Sequence, residues 1–207
     1  MRGDRRHPAH TLVLAASAAS AAVVATRATR HLGAVPAEVA ARLPGDDLVP
    51  PGAHVTTRAV AIPAPASEVW PWLVQMGYGR GGWYAIDALE RAIGVGTPSA
   101  RQVRPELQGL AVGDRVPLSD RVDLVVDHIE PDRSLVLTLP EGPLAWVWSF
   151  RLAPTATGCR LVVRTAIGAR RGGVRGLVPL LDAGHTVMEF VQLHTIRRRV
   201  VAARRAG

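Results

Sequence analysis

Lysine is absent, cysteine occurs once, and aromatic side chains make up only 4% of the 207 residues. Each shortage excludes something. A lone cysteine, Cys159, can neither close an intramolecular disulfide nor build a CxxC redox or zinc site. All 25 basic residues are arginine, in a chain rich in Ala, Gly, Pro and Val, which fits coding bias better than selection for phosphate contact. There is no Ser–His–Asp arrangement, no pair of catalytic carboxylates and no dinucleotide fingerprint. Metal binding lacks HExxH or a second histidine at ligand spacing. No helix-turn-helix, finger or RNP-like pattern is present, so nucleic acid is not an expected partner despite a net charge of +8. No cofactor or metal is expected. What remains is 48% hydrophobic and 20% charged residues, the make-up of one globular domain with a real core. That excludes a disordered chain and a two-domain dinucleotide enzyme.

The charge is segregated. Residues 1–33 carry five Arg and one acid, residues 34–150 nine Arg and fourteen acids, and residues 151–207 eleven Arg and two acids. The N-terminal part combines basic residues with an uncharged run, TLVLAASAASAAVVAT (residues 11–26). As a helix it would extend about 24 Å at ~1.5 Å per residue, slightly short of a hydrocarbon core. It is read first as a membrane anchor, which makes the protein membrane-associated. A cleaved secretory signal and a soluble, cytoplasmic Ala-rich helix are the alternatives. Orientation stays open, because arginines flank both ends.

Residues 34–53, punctuated by Pro36, Pro44, Gly45, Pro50, Pro51 and Gly52, read as a linker with one helical turn near 37–42. The domain then spans residues 54–207. HVTTRAVAI (54–62) is β-branched and alternating, hence a strand. A helix over 67–76 places Val69, Trp72, Leu73 and Met76 at helical spacing, and a second is expected over 84–93. Five strands follow near 115–118, 122–129, 134–139, 144–152 and 159–167, with separators short enough to make them antiparallel. The chain closes with a long helix over 174–204, its stripe including Leu177, Leu181, Met188 and Val191. An antiparallel sheet with one apolar face must cover it, and only the terminal helix is long enough. The fold class is α+β, with a pocket where sheet and helix part.

Four blocks in order, APASEVWPWLVQMGYGRGGWYAID (64–87), VGDRVPL (112–118), RLVVRT (160–165) and DAGHTVMEF (182–190), resemble bacterial members of the START-like (SRPBCC, polyketide cyclase and lipid-transport) superfamily. The resemblance implies a helix-grip fold and a cavity for a small hydrophobic ligand. It carries over no agreed catalytic residues, so it argues for binding rather than for a reaction.

Candidate ligand contacts follow. The loop GYGRGGWY (77–84) reads either as a lid, with Arg80, Trp83 and Tyr84 facing ligand, or as a tight turn with those aromatics in the core. Trp146, Trp148 and Phe150 share one strand face and serve as core, ligand wall or both. Met188 lies on the helix stripe. Arg164 reaches either the interior or solvent, according to which strand face is buried. His185 and Glu189 stand one helical turn apart and are the only acid–base candidates, for a cyclase or dehydratase acting on a polyketide-like substrate. A structural hydrogen bond from the helix is the reading preferred for that pair, and no catalytic residue is assigned. A third reading makes the arginine-rich helix end a surface for anionic lipid or an acidic partner.

Overall fold

The structure is a computed structural model describing residues 29–92, 97–170, 174, 176 and 178–206. Six strands form one antiparallel sheet: β1 (His54–Ile62), β2 (Arg115–Pro117), β3 (Asp123–Glu130), β4 (Ser134–Thr138), β5 (Leu144–Thr155) and β6 (Gly158–Ala169). Their spatial order is β1-β6-β5-β4-β3-β2. Among the described residues four α-helices accompany them: α1 (Pro36–Ala40), α2 (Ala66–Val74), α3 (Asp87–Ala92) and α4 (Val178–Ala206). This is the helix-grip arrangement, an antiparallel sheet with a long C-terminal helix laid across one face.

Pairing register sorts the side chains into rows across β1, β6 and β5. Val60, Leu161 and Leu152 form one row; Arg58, Val163 and Phe150 the next; Thr56, Thr165 and Trp148 another; His54, Ile167 and Trp146 the last. These rows make the inner face, which α4 covers with Leu193, Ile196 and Val200 in the same buried cluster. Asp182 meets His54 at one end, and Arg204 meets the carbonyl of Pro63 at the other, so α4 runs parallel to β1. The core therefore grades from aliphatic, around Val60 and Leu161, to polar and aromatic, around Thr56, Trp148 and His54.

Part of the outer face, over β1, β6 and the middle of β4 and β5, is covered too. Residues 34–53, expected as a linker, pack across it: Leu43 and Ala34 sit with Ala59 and Val162, and Val49 and Ala53 with Val136, Val147 and Ala166. Proline does not prevent this, since the carbonyls of such a segment still accept hydrogen bonds, and here Arg164 supplies the donors. Just before it, the carbonyls of Arg30 and Leu32 accept from the amides of Thr57 and Ala59 along the outer edge of β1. Gly33, at φ +71°, lies so close that a Cβ would be 2.1 Å from the Ala59 carbonyl oxygen. Only glycine fits there.

The second helix starts three residues later than the sequence pattern predicts. Tyr84 has φ +59°, which no helix contains, and its amide is bonded to Ser99 Oγ instead. Among the described residues no helix is long and apolar enough to cross a membrane. The run 11–26, expected as the membrane segment, lies outside the described residues.

Candidate functional site

The polar end of the inner face is organised by Arg58, which is fully buried. Its guanidinium donates to Thr56 Oγ1 at 3.1 Å, to Thr186 Oγ1 at 2.6 Å, to the carbonyl of Thr29 at 3.1 Å, and to Glu189 Oε2 in a direct ion pair. The other oxygen of Glu189 accepts from Trp148 Nε1 at 3.0 Å and from Thr165 Oγ1 at 2.8 Å. Three strands, β1, β5 and β6, are thus pinned to α4 by one carboxylate. Asp182, one helical stretch earlier, lies 2.9 Å from His54 Nε2 and 3.9 Å from Arg58. A buried charge is tolerable only when so paired and bonded.

His185 sits beside this cluster and takes no part in it. Both ring nitrogens are shielded from solvent and neither has a hydrogen-bond partner. Its ring stands edge-on to Trp146, centroids 5.0 Å apart, and to Trp148, at 5.2 Å. Burial pushes its pKa below the ordinary imidazole value; Arg58 pushes the same way, while Glu189 and Asp182 push back. The imidazole is therefore neutral, with one donor and one acceptor unused. Trp146 Nε1, in the same aromatic cluster, is likewise shielded and unpartnered. Met188 is half-buried on the neighbouring turn of α4.

The remaining sequence candidates lie elsewhere or are occupied. Arg164 is on the outer face. Alternation along β6 puts it opposite Leu161 and Val163, and it grips residues 34–53 through the carbonyls of Glu38 (3.2 Å), Val39 (2.8 Å) and Ala41 (3.0 Å), with Asp46 Oδ2 at 2.6 Å. Arg80 does not face the inner cluster: it caps the end of α2, donating to the carbonyls of Val74 (2.8 Å) and Met76 (3.0 Å). Tyr84 is fully buried, its hydroxyl accepting from Gln75 Nε2, and burial raises its pKa to about 12. Trp83 is buried, donates to the carbonyl of Leu118 at 3.2 Å, and stacks on Trp148 with centroids 5.3 Å apart. The glycine loop is a tight turn closed by paired bonds between Gly77 and Gly82. It also caps the edge of β2, where the amide of Tyr78 donates to the carbonyl of Pro117 at 2.7 Å.

Glu189 cannot pass a proton to His185, because its oxygens are taken by Arg58, Trp148 and Thr165 and the imidazole bonds to neither of them. The acid–base pair suggested by their spacing is split into a structural anchor and an unpartnered ring. Arg58, Thr165 and Thr186 were not among the sequence candidates. The signal for Arg58 was nonetheless present: alternation in HVTTRAVAI puts it on the same face as Val60 and Ile62, and a charge on a core face demands a partner.

Surface grooves lined by described residues lie away from this cluster and share none of its side chains. One of about 250 Å³ is lined by residues 100–106. The other, of about 400 Å³, lies between Pro63 and the C-terminal half of α4.

No protein family and no curated protein matches the chain significantly. Solved structures do. Protein MLL2253 from Mesorhizobium loti is 19% identical with a TM-score of 0.42, over 72% of this chain and 98% of that one. Protein NE0264 from Nitrosomonas europaea is 14% identical, TM-score 0.47, over 72% and 95%. Norcoclaurine synthase from Thalictrum flavum, solved with dopamine and hydroxybenzaldehyde, is 12% identical, TM-score 0.46, over 72% and 87%.

Proposed function

We propose that the protein binds a small, largely apolar molecule carrying one polar group, at the end of the inner face marked by Trp146, Trp148, His185 and Met188. The observation that carries this reading is the set of three shielded polar atoms without partners, His185 Nδ1, His185 Nε2 and Trp146 Nε1, gathered in one aromatic cluster. Leaving such an atom unsatisfied costs about 1–3 kcal/mol, so the arrangement is completed by a guest that accepts from one ring and donates to another. The aromatic faces supply apolar area, at ~25 cal/mol per Å² buried. The resemblance to START-like sequences points to the same class of ligand.

The occupied state of Glu189, with no bond to the His185 ring, supports binding over acid–base chemistry by that pair. Native mass spectrometry of the protein purified from its own host tests the reading directly. A retained small molecule is expected in the wild type. His185→Phe, which keeps the ring but removes both nitrogens, is expected to reduce retention about tenfold, the value of one charge-neutral hydrogen bond. Retention equal in the two proteins, or a wild type that carries nothing and gains no thermal stability from a lipid and polyketide panel, overturns it.

A further inference from the structure

The solvent side of α4 is unlike the rest of the surface. Val187 and Phe190 are 53% and 44% exposed, and Phe190 is the one aromatic among the exposed large hydrophobic residues described. Among the described residues its ring stacks on that of His194 in the same helix, with centroids 4.2 Å apart. The same helical stripe continues to Arg197 and Val201, at seven and eleven residues beyond Phe190. There the groove of about 400 Å³ opens, lined by Pro63, Arg197, Arg198, Val201, Ala202 and Arg205. Its floor is aliphatic and its rim cationic. Among the described residues Arg197 and Arg205 have no acidic partner, and Arg198 donates only to Thr195 Oγ1, at 3.0 Å. Arg204, by contrast, is paired with Glu68 at 3.0 Å.

We infer that this face of α4 docks on an anionic lipid surface. The argument is one of complementarity. Unpaired guanidinium groups need an anionic counterpart, which an uncharged or basic surface does not provide. The exposed Phe190 and Val187, together with the aliphatic floor beside the arginines, need an apolar one. A bilayer interface with acidic headgroups offers both at once, along the length of a single helix. A nucleic-acid backbone would satisfy the arginines and leave the phenylalanine and valine in water. The opposite side of α4 is committed to the core through Glu189, Leu193, Ile196 and Val200, so the helix is fixed in orientation and presents this stripe outward. The inference is independent of the proposed ligand site, which lies on the buried side.

Vesicle co-sedimentation of the full chain tests it, with phosphatidylcholine alone or mixed with phosphatidylglycerol. The variant R197Q/R198Q/R205Q removes the rim. The variant R115Q/R121Q/R133Q removes three exposed arginines from the far edge of the sheet, whose side chains are 76%, 87% and 74% exposed. Both variants change net charge equally and keep residues 11–26. Binding that requires phosphatidylglycerol, falls about tenfold or more in the α4 variant, and falls less than roughly twofold in the other is the expected result. Phe190→Ser should weaken binding without altering its salt dependence. Equal losses in the two triple variants, no loss in the α4 variant, or no preference for phosphatidylglycerol would overturn the inference. So would an α4 variant that loses affinity for duplex DNA but not for vesicles. Thermal melting within a few degrees of wild type confirms that the variants are folded.

Discussion

Glu189 and His185 are a single helical turn apart, yet the first is saturated with donors and the second has none. The difference is positional: Glu189 projects over the row of Thr56, Thr165 and Trp148, beside Arg58, whereas His185 projects over the indole faces. Their titration should diverge accordingly. Burial depresses the His185 pKa in the folded protein, while in the unfolded chain it titrates near its ordinary value. The unfolded state therefore takes up a proton that the folded state refuses. Stability due to this residue is present above the unfolded value and falls as pH drops below it, by at most about 1.4 kcal/mol per pH unit. Urea unfolding across that range checks this: His185→Phe should lose less stability on acidification than wild type does. That the pair was chemically interesting was legible from spacing alone. Which strand residue would claim the carboxylate was not, because the partner, Arg58, is 131 residues away in sequence.

Elements on the outer face show the same dependence on distant partners. Strand boundaries follow closely from alternation and turn residues, with β1 at 54–62 as read from the sequence and the other five within a few residues at each end. Hydrophobic period and glycine–proline punctuation are local signals, and they suffice for that. The packing of residues 34–53 is not local. It depends on Arg164 meeting three carbonyls and a carboxylate of that segment, and on Leu43 filling the space over Ala59 and Val162. Arg164→Met is expected to destabilise the protein by about 2–3 kcal/mol, since the orphaned carbonyls and Asp46 lose a charged donor. Limited proteolysis should then cut first within 34–53 while the strands stay protected; unchanged cleavage would assign the segment's stability to its apolar contacts. The glycine loop was legible as a turn, but its service to β2 was not, because edge protection is a property of the assembled sheet.

At the level of the whole molecule, α4 and α2 cover the inner face of the sheet, and the N-terminal covering segment covers the outer face over β1, β6 and the middle of β4 and β5. Cys159, at the start of β6, reports on that closure. It is 1% exposed, and burial raises its thiol to about 11. Alkylation by iodoacetamide near neutral pH is therefore expected to be slowed about a thousandfold or more relative to the urea-unfolded chain, tracking global opening. Fast labelling of the native protein would show instead that the end of the sheet near Ile62 and Cys159 opens locally.

Both margins of the sheet are spoken for: Arg30 and Leu32 occupy the amides of Thr57 and Ala59 on one, and Tyr78 occupies the Pro117 carbonyl on the other. A second molecule finds no long bare ladder on which to add a strand, and the chain is guarded from templated, fibril-like growth without relying on its charge. Shortening the polypeptide past Gly33 would strip that guard from the longer margin.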